Sequence, residues 1–248
     1  MEIDTAIIIF IVGFCSSYIG SIAGAGGASI SIPALILLGV PTTVAIATKR
    51  FSHLGSDVVA IFQYHHSKKI AWSHGLIISV FTAIATIIGS TILVNFDKNL
   101  LSKILGISII ITIPLTFTKK EYGLNPKKVS RQQHILGYIV YFFVDIADAF
   151  TGIIGGFGAS LTLISLMGLT YLEANATKKI ASLTMAIVGS IIFAHHGVIE
   201  YTWGIVLMLG TTIGGYLGVR TALRHGSYLV KIVFSVIVFL SAIKLMLF

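Results

Sequence analysis

A chain of 248 residues that is 56% hydrophobic and only 10% charged, with a mean hydropathy of +0.97, has too little polar surface to enclose a water-soluble core. The net charge of +8 does not make it a nucleic-acid binder, because the basic residues sit mainly in short loops between apolar runs and form no continuous face. A single cysteine, Cys15, excludes an intrachain disulfide and any thiolate cluster for zinc or iron–sulfur, so neither a metal nor a cofactor is expected.

Apolar runs near the ~20 residues that cross ~30 Å of hydrocarbon recur from Ile7 to the C-terminus, which makes a lipid bilayer the expected surroundings. The first run follows Glu2 and Asp4 rather than a basic leader, and is read as a retained helix instead of a cleaved signal. Polar punctuation divides the chain into about ten helical segments. In order they run over residues 5–23, 28–39, 43–65, 74–95 and 99–117, then, after a basic loop from Lys119 to Arg131, over 133–155, 158–169, 171–196, 201–222 and 227–247. The glycine-rich stretch Gly24-Ala25-Gly26-Gly27 separates the first two.

The second five segments repeat the first. Gly24-Ala25-Gly26-Gly27-Ala28-Ser29 returns as Gly155-Gly156-Phe157-Gly158-Ala159-Ser160, and Ala45-Ile46-Ala47-Thr48-Lys49-Arg50 as Ala174-Asn175-Ala176-Thr177-Lys178-Lys179, two residues closer to its glycine motif. His66 with His195, Gly75 with Gly204 and Gly89 with Gly218 keep the second register. The expected organisation is a first repeat over 1–118, a cytoplasmic basic loop over 119–132 and a second repeat over 133–248. Loop charges give the orientation. With the 119–132 loop inside, the turn carrying Lys68 and Lys69 is also inside, the turn from His195 to Trp203 with Glu200 is outside, and the turn with Arg220 and Arg224 is inside. Equivalent turns then face opposite sides, which predicts inverted halves with both termini external in the inner (plasma) membrane.

Inverted repeats with broken helices place a solute near the bilayer midplane. Helices starting near Ala28 and Ala159 present unpaired N–H groups and positive dipole ends, which suit an anion. Ser29, Ser31, Ser160 and Thr162 add hydroxyls there, and Gly24, Gly26, Gly27, Gly155, Gly156 and Gly158 admit close approach to the backbone; the plainer reading is that the glycines only let helices pack closely. Lys49-Arg50 and Lys178-Lys179 lie two turns inside otherwise apolar helices. Charge at that depth costs about 2.5 to 3.5 kcal/mol unless it meets water, a partner or an ion. Four such cations make an anion trap, although one of each pair can instead snorkel or meet an acid. Thr48, Thr177 and Asn175 offer neutral hydrogen bonds beside them. Asp57, Asp145 and Asp148 either neutralise the cations or exchange protons.

On these residues the chain resembles the TauE/SafE family of sulfite and organosulfonate exporters. The resemblance covers nearly the whole chain: the first-half stretch from Gly20 to Thr48 with Pro33 and Gly39-Val40-Pro41, then Gly155-Gly156-Phe157-Gly158, Glu173-Ala174-Asn175-Ala176-Thr177, Lys179, His196-Gly197 and Gly214-Gly215-Tyr216-Leu217-Gly218. It implies an all-α fold of two inverted motifs of five membrane-penetrating helices, a homodimer, and a substrate held between the two glycine breaks. It assigns binding roles to Asn175, Thr177 and Lys179, and by internal symmetry to Thr48 and Arg50. Lys49 and Lys178 depart from it, standing where the family more often has serine. The expected function is secondary export of sulfite or a related small sulfur oxyanion or organosulfonate; uptake of sulfate, thiosulfate or a sulfonate, and a passive anion channel, are the alternatives. An intramembrane enzyme using Ser29 or Ser160 is set aside, since no grouping of nucleophile, base and oxyanion donor is evident in the sequence.

Overall fold

A computed structural model describes residues 3–24, 27–97, 100, 101, 103, 104, 123 and 125–225. Among them are eight α-helices and no strand: α1 (Ile3–Ala23), α2 (Ala28–Leu37), α3 (Thr42–His66), α4 (Trp72–Val94), α5 (Arg131–Thr151), α6 (Gly155–Ser165), α7 (Tyr171–His195) and α8 (Tyr201–His225). The segment expected at 227–247, most of the one expected at 99–117, part of the basic loop, Glu2 and Gly26 lie outside the described residues. α1, α4, α5, α7 and α8 are each long and apolar enough to cross a membrane. α3 matches α7 in length but carries Lys49, Arg50 and Asp57.

Local sequence explains where the helices start and stop. Ser130 with Gln133, and Thr170 with Glu173, form reciprocal capping boxes at the starts of α5 and α7. α1 and α5 end where Gly24 and Gly152 take positive φ values of 68° and 74°, a turn that glycine makes without a Cβ penalty. The second break therefore falls at 152–154, earlier than the sequence suggests. Gly155, Gly156 and Gly158 lie inside α6 rather than ahead of it. Ser31 Oγ donates to Gly27 O and Ser160 Oγ to Gly156 O, each at 3.2 Å and one turn back along its own helix. At ~1.5 Å per residue neither the ten-residue α2 nor the eleven-residue α6 spans a bilayer alone.

The outer face of the bundle is apolar, and its interior mixes apolar with polar side chains. Val80, Phe143, Ile191 and Leu209 are more than half exposed, whereas Thr82, Thr86 and Thr211 are fully buried, the distribution expected of a surface that faces lipid. The principal helix neighbours are unchanged when α1–α4 are exchanged for α5–α8: α1 packs on α8 as α5 does on α4, α3 on α8 as α7 does on α4, each short helix on its two sequence neighbours, and α3 crosses α7. Close approach makes two of these contacts dependent on glycine. A Cβ on Gly89 of α4 would stand 2.6 Å from Ile146 O of α5, and one on Gly218 of α8 would meet Tyr18 O of α1.

Thr48 and Thr177 do a job that their sequence position hides. Thr48 Oγ1 accepts the N–H of Glu200, just before α8, and Thr177 Oγ1 accepts the N–H of Ala71, just before α4, both at 3.0 Å. Each hydroxyl thus caps a helix of the opposite half. Thr48→Val and Thr177→Val keep the shape and leave a donor unpaired, so each is expected to cost about 1 kcal/mol. Matching losses of melting temperature in the purified variants would check that the two caps are equivalent; a loss in only one would contradict it.

Candidate functional site

α3 and α7 cross at the centre of the bundle and bring the two cation pairs together. Lys49 and Arg50 of α3 and Lys178 of α7 are each under 10% exposed, and Asp57 and Asp145 are equally buried. Such charges need partners.

Arg50 is held at several points. Its Nη1 faces Asp148 Oδ2 at 3.3 Å and Met185 Sδ at 2.8 Å, while its Nη2 donates to the main-chain O of Asp148 at 2.7 Å. Asp148 Oδ1 in turn accepts the N–H of Gly155, the first residue of α6, at 2.9 Å. The carboxylate therefore joins a guanidinium to the positive end of a helix. Lys179 Nζ pairs with Asp57 Oδ1 at 2.6 Å, and the Ser182 hydroxyl donates to the other oxygen of Asp57.

Lys178 is different. Its ammonium donates to Gly24 O, to Gly156 O at 2.6 Å and to Ser160 Oγ at 2.6 Å, which uses its three hydrogens and ties the end of α1 to the start of α6. Ser160 Oγ also lies 3.0 Å from Asn175 Oδ1. Lys49 Nζ meets His53 Nε2 one turn along α3. Asp145 receives the Thr82 hydroxyl and has no ion pair among the described residues. Thr162 bonds back to Gly158 O within α6, and Ser29 Oγ is buried without a hydrogen-bond partner in the first turn of α2.

A cavity of about 60 Å³ opens among these groups, lined by Arg50, Lys178, Lys179, Asp145, Asp148, Gly155 and Gly156, with Ala28 and Gly152 bringing in both breaks. That volume suits a few waters or one small polyatomic ion and falls well short of the ~300 Å³ of a site for a larger organic ligand. The sequence also led to Ser29, Ser31, Thr48, Lys49, Ser160, Thr162, Asn175 and Thr177, none of which lines it; nor do Asp57, Gly24, Gly27 or Gly158, and Gly26 is outside the described residues. His53, Tyr141, Ser182 and Met185 do line it. Of these, Ser182 and Met185 lie on the Lys178–Lys179 side of α7, four and seven residues after Lys178, a signal the sequence already held.

An apolar helical bundle with cations and carboxylates gathered around a small cavity between two helix breaks belongs to the class of multi-pass membrane proteins that handle a charged solute. The chain matches the family described as sulfite exporter TauE/SafE over residues 9–245, and it belongs to that family. It is 27% identical over 244 residues to a probable membrane transporter protein of Haemophilus influenzae, covering 98% of this chain and 95% of that protein. It is likewise 27% identical over 230 residues to the probable membrane transporter protein YfcA of Escherichia coli, covering 90% and 83%. With the probable membrane transporter protein YunE of Bacillus subtilis it shares 26% over 236 residues, 86% of each. No solved structure matches the chain. The protein is a membrane transporter of this family.

Proposed function

We propose that the chain is a secondary transporter that exports sulfite or a closely related small sulfur oxyanion across the inner membrane, holding it near the midplane between two halves of opposite orientation. The observation that carries this reading is the cavity into which Arg50 from one half and Lys178 and Lys179 from the other bring their charge, beside both helix breaks. The exchangeable helix neighbours and the alternating loop charges support the inverted arrangement, with both termini external. The printed description of the family supports sulfite and its export. The cavity volume favours a compact oxyanion over a bulky sulfonate. The remaining outer surface is proposed to meet lipid and a second copy of the chain.

Proteoliposomes loaded with sulfite are the test. Release faster than from protein-free vesicles, lost in Lys178→Ala and Lys179→Ala and kept in Lys68→Ala at the α3–α4 turn, is the expected result. Faster entry of sulfate or thiosulfate with no sulfite release would shift the reading to uptake, and uncoupled currents would shift it to a channel. No movement of any of the three anions would overturn it.

A further inference from the structure

Asp148 sits where an oxyanion ligand of this centre would sit. Its two carboxylate oxygens take the Gly155 N–H at 2.9 Å and the Arg50 guanidinium at 3.3 Å. A main-chain N–H at a helix start and a guanidinium are the donors with which proteins hold phosphate, sulfate and carboxylate. The carboxylate also lies against bare backbone: a Cβ on Gly155 would stand 2.7 Å from Asp148 Oδ2. One turn earlier on the same helix, Asp145 lines the same cavity with only the Thr82 hydroxyl to meet it and no ion pair among the described residues.

We infer that Asp148 is a resident stand-in for the transported anion: the incoming oxyanion displaces its carboxylate from Gly155 N–H and Arg50, and the displaced carboxylate, moving towards Asp145, takes up one proton that the two acids share. This rests on reading the cavity as the anion site. A carboxylate that has lost its guanidinium and lies beside a second, buried one is stable only if a proton arrives with it. No nearby cation replaces that proton. On α7, Lys178 is bonded to three oxygens and Lys179 to Asp57; on α3, His53 lines the cavity with its Nε2 already engaged by the Lys49 ammonium, and Arg50 is taken by the incoming anion. Tyr141 and Asp145 are the titratable groups on α5 itself that line the cavity, α4 presents Thr82, and α2 and α6 bring no titratable side chain to it. One proton thus accompanies each anion bound, and in the unloaded protein Asp148 keeps the centre closed. The direction of net flux then follows from the anion and proton gradients and the membrane potential.

Asp148→Asn isolates the displacement. The amide oxygen still accepts from Gly155, and Arg50 stays anchored by the main-chain O of residue 148 and by Met185 Sδ. Sulfate, which does not titrate between about pH 6 and about pH 8, is the probe, with calorimetry on the full chain in lipid nanodiscs in buffers of different ionisation heat. The wild type is expected to take up roughly one proton per sulfate and to bind up to about tenfold more weakly for each pH unit of increase. Asp148→Asn is expected to bind about tenfold more tightly at about pH 8, with no proton uptake and no dependence on pH. Sulfate binding without proton uptake in the wild type, or an Asp148→Asn variant that keeps the wild-type pH dependence, would overturn the inference. If the wild type binds no sulfur oxyanion, the cargo reading fails and the displacement is read with acetate, the analogue of the Asp148 side chain. A saturable rise in melting temperature with acetate in Asp148→Gly, absent in the wild type, supports the stand-in role, and no rise refutes it.

Discussion

Arg50→Ala is expected to abolish anion movement in proteoliposomes and to lower the melting temperature of the purified protein by on the order of 10 °C. Two losses combine. The cavity forfeits the guanidinium that α3 brings to it, and Asp148, 15% exposed at its side chain, is left beside Asp145 without its cation. Breaking a buried ion pair by removing one partner costs about 3 to 5 kcal/mol, because the remaining charge stays in a place that cannot solvate it. Removing both partners should be nearly neutral. Arg50→Met combined with Asp148→Asn is therefore expected to restore most of the melting temperature while leaving transport absent. A double variant that transports would show that Arg50 serves the fold alone. Arg50→Lys separates charge from shape: an ammonium is a single point of donation and does not reach the Asp148 carboxylate, its main-chain oxygen and Met185 in the manner of a planar fork.

The helices were legible because the bilayer imposes a length and because punctuation is local. The starts of α5 and α7 are written as Ser130 with Gln133 and Thr170 with Glu173, and α3 and α7 begin within a residue of where the apolar pattern puts them. The breaks were legible only as glycine-rich. Which glycine turns the chain depends on φ, and Gly152 takes that role in α5 while the motif glycines after it continue as α6. The cation pairs were legible because charge two turns inside an apolar helix has few explanations. Their partners were not, since pairing Arg50 with Asp148 joins residues ninety-eight positions apart, and no periodicity records that contact. Thr48 and Thr177 stand beside the cations in sequence, yet along a helix one step turns the side chain by about 100°, and theirs point to a neighbouring helix start instead of the cavity.

Lys179→Ala is the second change expected to have a large effect, and it separates the roles that the two acids play. Asp57 is fully buried and, among the described residues, receives Lys179 and Ser182, so removing the lysine strands a carboxylate more completely than in the Arg50 variant; a loss of about 3 to 5 kcal/mol is expected in the purified protein. Lys179→Ala with Asp57→Ala is expected to regain most of that stability and still not move the anion, because Lys179 lines the cavity and Asp57 does not. The difference in position also sets Asp57 apart from Asp148. Asp148 bonds to a helix start and lines the cavity, where an anion can take its place, whereas Asp57 pairs with Lys179 and does not line it. Asp57→Asn is therefore expected to lower the melting temperature without tightening sulfate binding, the reverse of what is expected for Asp148→Asn. Equal gains in affinity from the two substitutions would mean that added positive charge alone attracts the anion, and that neither carboxylate is displaced by it.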